Sequence, residues 1–209
     1  LHLRLLPPHA WRTFLRKHRL TNASPHQVSN LGIARAFQNI ELFSGMTVLD
    51  NLMLARHQHL RYSFFHALLY WGKAARVEAG NRAYVEDVID FMELETYSKR
   101  PVGNLSYGVQ KRVEVARALT LGPELLLLDE PMAGMNVEEK EDMVRFIIDI
   151  QKERNMTVVL VEHDLGVVMD ISDQIYVLDF GQVIGSGTPD EVGADEKVIE
   201  AYIGEDETI

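Results

Sequence analysis

The chain has 209 residues, of which 46% are hydrophobic and 25% charged, a balance that fits one α/β domain with room for a substantial core. It has no cysteine, so disulfides and thiolate metal sites are excluded, and no apolar run reaches bilayer-spanning length. The net charge of −10 is uneven: residues 1–40 carry six Lys/Arg and no Asp or Glu, and the remainder carries 15 basic against 31 acidic residues, which argues against a nucleic-acid-binding surface.

Residues 1–19 show no periodic signal, and Pro7-Pro8 breaks any early helix. This acid-free, Arg-containing stretch reads as a targeting peptide or, more simply, as remaining sequence at an altered start. The chain begins with Leu1 rather than Met, so the expectation is a fragment. Ile33 to Phe37 reads as a strand leading into a loop. Thr47 caps a helix over 48–60. Residues 61–73 are aromatic and irregular (Tyr62, Phe64, Phe65, Tyr70, Trp71) and read as a loop or short helix packed on a partner. Residues 74–95 place Val77, Tyr84, Val85, Val88, Ile89 and Met92 at helical spacing. Pro101 and Gly103 end this helical stretch.

The pattern then changes. Ser106 to Thr120 reads as a helix stopped by Gly122-Pro123. Leu125–Leu128 is apolar throughout, as a central strand of a parallel sheet requires. Val137–Gln151 is an amphipathic helix with Met143, Val144, Ile147 and Ile148 on one face. Met156–Val161 reads as a second buried strand, Asp164–Ile171 as a short helix, and Ile175–Phe180 and Gln182–Ser186 as two strands about Gly181. Thr188-Pro189-Asp190-Glu191 is a capping box with Pro at the first helical position. Residues 195–203 form a last helix closed by Gly204. Alternating strands and helices imply a parallel sheet with helices on its faces.

Several residues could carry chemistry. Asp129-Glu130 ends an apolar strand, where open α/β sheets bind ligands. An Asp there can hold Mg²⁺, and the adjacent Glu can orient or deprotonate an attacking water. On its own the pair reads as ordinary solvated acids; Pro131 and the upstream run Asn104-Leu105-Ser106-Tyr107-Gly108-Val109-Gln110 change that. Ser106 to Gln110 opens a helix whose free N–H groups and positive dipole end favour an anion, and Gly108 allows close approach of a phosphate. His163, in Glu162-His163-Asp164, follows the next strand and could contact a terminal phosphate or the attacking water. His2, His9, His18, His57, His59 and His66 read as structural or solvated. Gln38 could reach Mg²⁺ or water through its amide oxygen. No Gly-x-x-x-x-Gly-Lys-Ser/Thr phosphate loop occurs in the 209 residues.

In this order the motifs resemble those of ABC transporter ATP-binding subunits. Gln38 matches the Q-loop, Leu105–Gln110 the signature, Leu125–Glu130 the Walker B strand with the catalytic Glu, Gly134-Met135-Asn136 the D-loop, and His163 the switch histidine. Gly32-Ile33-Ala34-Arg35-Ala36-Phe37-Gln38-Asn39, Met46-Thr47-Val48-Leu49-Asp50-Asn51-Leu52, Gly187-Thr188-Pro189-Asp190-Glu191-Val192 and Val198-Ile199-Glu200-Ala201-Tyr202-Ile203-Gly204 look like the branched-chain amino acid importer branch. Tyr107 and Asn136 depart from the commoner Gly and Asp of the wider family.

The resemblance implies an incomplete P-loop NTPase fold: an α/β core with a parallel sheet and an inserted α-helical subdomain. It divides the chain into a basic segment (1–19), a core strand and Q-loop (20–45), a helical subdomain ending in the signature helix (46–118), a half-core with Walker B, D-loop and switch histidine (119–193), and a C-terminal helix and tail (194–209). It implies Glu130 and His163 as catalytic, Gln38 and Ser106 to Gln110 as nucleotide-binding, Gln38 and Asp129 as metal ligands, and ATP and Mg²⁺ as cofactors. It also implies a head-to-tail dimer with a second ATPase subunit, transmembrane permease partners, no nucleic acid, and a peripheral position on the cytoplasmic face of the membrane. With no phosphate loop, the expectation is a chain inactive alone, with an exposed sheet edge. A catalytically inactive partner that donates its signature is the alternative, and a soluble ABC ATPase acting on nucleic acid is disfavoured by the single cassette and absent basic stripe.

Overall fold

The computed structural model describes residues 13–58 and 71–206. Residues 1–12, 59–70 and 207–209 lie outside them, and with them all of the aromatic stretch 61–73 except its last three residues, which begin a helix. A short antiparallel hairpin comes first, β1 (Phe14–Leu15) and β2 (His18–Arg19), turning through Arg16 with φ of 52°. Helix α1 (Pro25–Asn30) follows. Neither element is expected from periodicity, yet α1 has a local cause. The Ser24 hydroxyl accepts from the Gln27 N–H, the Gln27 amide oxygen accepts from the Ser24 N–H, and Pro25 presets the first turn.

The core sheet has three parallel strands in the order β3 (Ile33–Ala36), β4 (Leu125–Asp129) and β5 (Thr157–Val161). Ala36 pairs with Leu128 and Asp129 with Val161, so all three strands end at one edge. The helical layer is inserted between β3 and β4. It comprises α2 (Val48–Gln58), α3 (Trp71–Phe91) and α4 (Tyr107–Leu119), with α2 packed on both others. Thr47 caps α2 as expected, its hydroxyl accepting from the Asp50 N–H at 3.1 Å. Val48, Leu52, Val85, Val88, Met92 and Leu94 are buried beneath this layer. Helix α4 crosses β3 and β4 and carries Val113, Val115, Ala116 and Leu119 into the same core.

Helix α5 (Val137–Glu153) covers β5 with Met143, Phe146, Ile147 and Ile150, and α6 (Leu165–Ile171) starts from an Asp164 cap. Strands β6 (Ile175–Asp179) and β7 (Gln182–Gly187) form a separate antiparallel pair. Helices α7 (Pro189–Gly193) and α8 (Glu196–Asp206) pack on β7 around Ile175, Val192 and Val198. Thr188 and Glu191 form the expected capping box.

Two expectations are corrected. Strand β5 is not buried; it forms an edge of its sheet, with Val159 46% and Val161 55% exposed. Its valines alternate, and only one face meets α5; among the described residues nothing covers the other. Tyr176, Leu178 and Val183 are likewise exposed on the separate hairpin, so the expected uncovered apolar edge is present. Helix α8 also does not stop at Gly204 but continues to Asp206, because an interior glycine only lowers helix stability by about 1 kcal/mol and does not forbid the turn.

Candidate functional site

The parallel register decides where the chemistry gathers. Gln38 lies two residues beyond β3, Asp129 ends β4, Glu130 follows it, and His163 lies two residues beyond β5. Four residues distant in sequence therefore share the carboxyl edge of one sheet, the place where such sheets bind ligands. The Glu130 N–H donates to the Val161 carbonyl at 2.9 Å, which fastens the β4 exit to β5. Glu130 has φ of 46°, a left-handed backbone that a side-chain-bearing residue adopts only when its surroundings hold it there.

The side chains meet. The Gln38 amide nitrogen donates to Glu130 Oε2 at 2.5 Å. His163 Nδ1 lies 4.0 Å from Glu130 Oε1 and 3.8 Å from Glu162 Oε2, with its ring largely in solvent. The Glu162 carboxylate is buried, and its Oε1 accepts from the Met132 N–H at 3.1 Å, tying the His163 loop to the turn after Glu130. The Tyr202 hydroxyl of α8 donates to the His163 carbonyl.

Asp129 is engaged by a residue that the motif reading does not single out. Strand alternation puts Arg35 on the face shared by Leu127 and Asp129, since Arg35 is in register with Leu127. The Arg35 guanidinium contacts Asp129 Oδ2 at 2.5 Å and lies 4.8 Å over the Phe37 ring. With both side chains about one-third exposed, the pair is held by geometry more than by a low dielectric. Among the described residues no group of three or more His, Asp or Glu gathers as a metal cluster. Mg²⁺ is commonly held by one or two carboxylates with phosphate oxygens and water, and the Asp129 carboxylate with the Gln38 amide oxygen fits that donor set.

The signature run begins α4 as expected. Ser106 is the cap, its hydroxyl accepting from the Val109 N–H at 3.4 Å, and the Gln110 amide donates to the Leu105 carbonyl at 2.8 Å. Tyr107 is 45% exposed and leans on the turn Gly134-Met135-Asn136: a Cβ on Gly134 would lie 3.1 Å from its ring, and Gly134 itself has φ of +77°. Gly108 is buried against Glu139, and a Cβ there would meet the Glu139 carboxyl at 2.3 Å. Met135 is buried, while Asn136 caps α5 by accepting from the Glu139 N–H at 2.9 Å. A cavity of about 170 Å³ lies between this turn and the His163 loop, lined by Met132, Gly134, Met135, Lys140, Glu162 and His163.

Lys111 joins the two halves. It lies on the buried face of α4, one turn after Tyr107, and is 2% exposed. Its ammonium donates to the Gln38 carbonyl at 2.5 Å and the Glu130 carbonyl at 3.4 Å. Burial pushes its pKa below the ordinary lysine value, opposed by Glu114, Glu162, Glu130 and Asp129. Nearby Glu114 is pushed the other way, above the ordinary carboxylate value, by burial, with Arg117 opposing. The signal available in sequence was a lysine and a glutamate three residues apart on the apolar face of a helix.

Comparison with solved structures places this geometry in a class, the ATP-binding cassettes. A nucleotide-free ATP-binding cassette from an ABC transporter superposes with a TM-score of 0.75 at 30% identity, over 92% of this chain and 77% of that one. An ATP-binding cassette of an ABC transporter in its ADP conformation gives 0.74 at 29% identity, over 92% and 76%. The chain belongs to the ABC transporter family, whose domain matches residues 5–133. Residues 182–208 match the branched-chain amino acid ATP-binding cassette transporter family. The high-affinity branched-chain amino acid transport ATP-binding protein BraF of Pseudomonas aeruginosa is 38% identical over 86% of this chain and 71% of its own length. The protein LivG of Escherichia coli, named for the same transport, is 37% identical over 91% and 75%. A probable LivG of Methanocaldococcus jannaschii is 31% identical over 93% and 76%.

Proposed function

We propose that this chain is the ATP-binding subunit of an importer for branched-chain or other hydrophobic amino acids. The observation that carries the reading is the convergence of Gln38, Asp129, Glu130 and His163 at one carboxyl edge. On a nucleotide held by a phosphate loop, Glu130 would activate the attacking water, His163 would position it, and Gln38 would report the site's state to the helical layer through the loop that enters it. The Asp129 carboxylate and the Gln38 amide oxygen would hold Mg²⁺, which when bound neutralises charge on the phosphate oxygens. Arg35 engages only Oδ2 of Asp129, which leaves Oδ1 for a cation, and Gln38 would present its oxygen in place of the nitrogen now facing Glu130.

Ser106 and the N–H groups near Gly108 serve the nucleotide of a second, head-to-tail ATPase subunit. The helical layer from 46 to 118 meets transmembrane permease subunits at the cytoplasmic face of the membrane; crosslinks from Asp50 to those subunits would support this, and crosslinks only from 188–206 would overturn it. Among the described residues no helix is long and apolar enough to cross a membrane.

The missing phosphate loop sets the test. Its backbone N–H groups and Lys neutralise the β- and γ-phosphates in loop-bearing ATPases. The chain alone is expected to release no phosphate from ATP above a Glu130→Gln control; turnover abolished by that substitution would refute this. Mixed with an intact cassette, it is expected to form an ATP-dependent complex. If it does so without turnover at Glu130, the second reading, a signature-donating inactive partner, is the correct one.

A further inference from the structure

We propose that Lys111 is the positioning residue of this site, holding Gln38 and Glu130 against each other from the signature helix. Four observations converge on it. The residue is 2% exposed, and its ammonium reaches the carbonyls of both residues, although they belong to different loops. The same two residues are joined through their side chains at 2.5 Å. Glu130 occupies a left-handed backbone, and its carbonyl, which accepts from the Ala133 N–H at 3.2 Å, takes Lys111 as a second donor. And Lys111 stands one helical turn below Tyr107, so the element that presents Ser106 to a nucleotide is the element that fixes Glu130.

The chemistry explains why a lysine is used. A carbonyl can accept twice; that of Glu130 takes one donor from the Ala133 N–H of its own turn, and α4 has no backbone N–H to add, its own being spent along the helix. A long stem ending in three donors reaches two separated carbonyls from one Cα, which an amide or hydroxyl side chain cannot do. The surrounding carboxylates of Glu114, Glu162, Glu130 and Asp129 oppose the effect of burial on the ammonium. A signature helix and a catalytic loop tied in this way move together: displacement of α4 is felt at both carbonyls at once.

This inference takes its importance from the reading of Gln38 and Glu130 as reacting residues, but its test does not involve ATP. Failure of the phosphate-release measurement therefore leaves the tether standing, and failure of the tether leaves that reading standing. The experiment is amide hydrogen exchange of the full chain and its Lys111→Met and Lys111→Arg variants, beside denaturant unfolding. Methionine keeps the length and removes the burial of a charge, so the unfolding midpoint is expected to stay or rise. Exchange in 130–135, where the Glu130, Ala133 and Met135 N–H groups donate to the Val161, Glu130 and Met132 carbonyls, is expected to accelerate by about fivefold or more, the factor a lost hydrogen bond implies. Arginine keeps donors at the end of a long stem and is expected to restore protection to within about threefold of the parent chain.

A buried lysine with a merely structural role would move stability and exchange together. Acceleration spread equally through the α5 core at 143–150, or protection in 130–135 within about twofold of the parent, overturns the proposal. A second measurement covers a methionine variant that does not fold. In the unmodified chain labelled with ¹⁵N on lysine side chains, one ammonium resonance shielded from solvent exchange is expected, and it should vanish in Lys111→Arg. Absence of such a resonance overturns the proposal directly.

Discussion

Replacing Gly108 by alanine tests whether the carboxyl of Glu139, and nothing more rigid, lies over the start of the signature helix. An added Cβ would sit 2.3 Å from Glu139 Cδ and Oε1 and 2.8 Å from its Cγ, too close to be accepted without movement. The obstructing atoms end a flexible side chain, so Glu139 can swing away. Doing so withdraws its Oε2 from the Asn136 N–H, a 3.2 Å bond and one half of the capping box of α5. That loss costs about 0.5–1 kcal/mol. Alanine in place of glycine within a helix returns about 0.5–1 kcal/mol. The two nearly cancel, and for a chain of this size about 1 kcal/mol moves Tm by roughly 2–4 °C, so Gly108→Ala is expected to change Tm by less than about 4 °C. The assay is a cycle of Gly108→Ala, Glu139→Ala and the double variant, followed by circular dichroism on heating. With Glu139 already shortened, Gly108→Ala should stabilise by about 0.5–1 kcal/mol, because only the helix term remains. Destabilisation of more than about 2 kcal/mol in both backgrounds would refute the argument, since it would mean that backbone rather than the carboxyl closes on Gly108.

Three further outcomes are expected. Glu114 is 2% exposed, its Oε2 has no partner, and burial raises its pKa above the ordinary 4.5, so the folded state holds a proton that the unfolded chain releases there. Its contribution to stability therefore falls as pH rises from about 4.5 through the raised value, and Glu114→Gln should gain on the parent chain across that window in denaturant titrations; a gap that closes with rising pH contradicts this. Val161→Lys, and separately Val159→Lys, should reduce concentration-dependent light scattering with little change in Tm, because each places a charge on the open face of β5; unchanged scattering would show that this face is not what associates. Ser106→Arg should weaken ATP-dependent pairing with an intact cassette about tenfold or more, since a charge-assisted hydrogen bond contributes roughly 1.5–3 kcal/mol, while the partner's own nucleotide binding stays unchanged.

The parts legible in sequence are those whose cause is local. Four leucines followed by Asp-Glu read as a central strand ending in chemistry, and Thr188-Pro189-Asp190-Glu191 reads as a helix start, because propensity and capping act within a few residues. Ser24-Pro25-His26-Gln27 carries the same kind of signal, and α1 was readable from it. Strand β5 was not readable as an edge, since a run of valines looks alike whether one face or two are covered; the answer depends on neighbours far away in the chain. The candidate site divides in the same way. Gln38, Glu130 and His163 are found by motif order. Arg35 and Lys111 are found only once the β3–β4 register and the facing of α4 are known, because an Arg in a strand or a Lys in a helix is by itself an ordinary surface residue.

The small second core has a bearing on His163. Ile175, Val192 and Val198 are its only fully enclosed apolar residues among those described, and the β6–β7 pair shares no strand pairing with the main sheet. So slight an assembly lends itself to opening as a unit while the rest of the chain stays folded. Yet α8 belongs to it, and α8 supplies the Tyr202 hydroxyl that grips the His163 carbonyl. On the other side, buried Glu162 anchors the same loop to the turn after Glu130. The histidine thus hangs between two moorings of unequal size, the turn after Glu130 on the main sheet and a tyrosine borne by a core of three enclosed side chains.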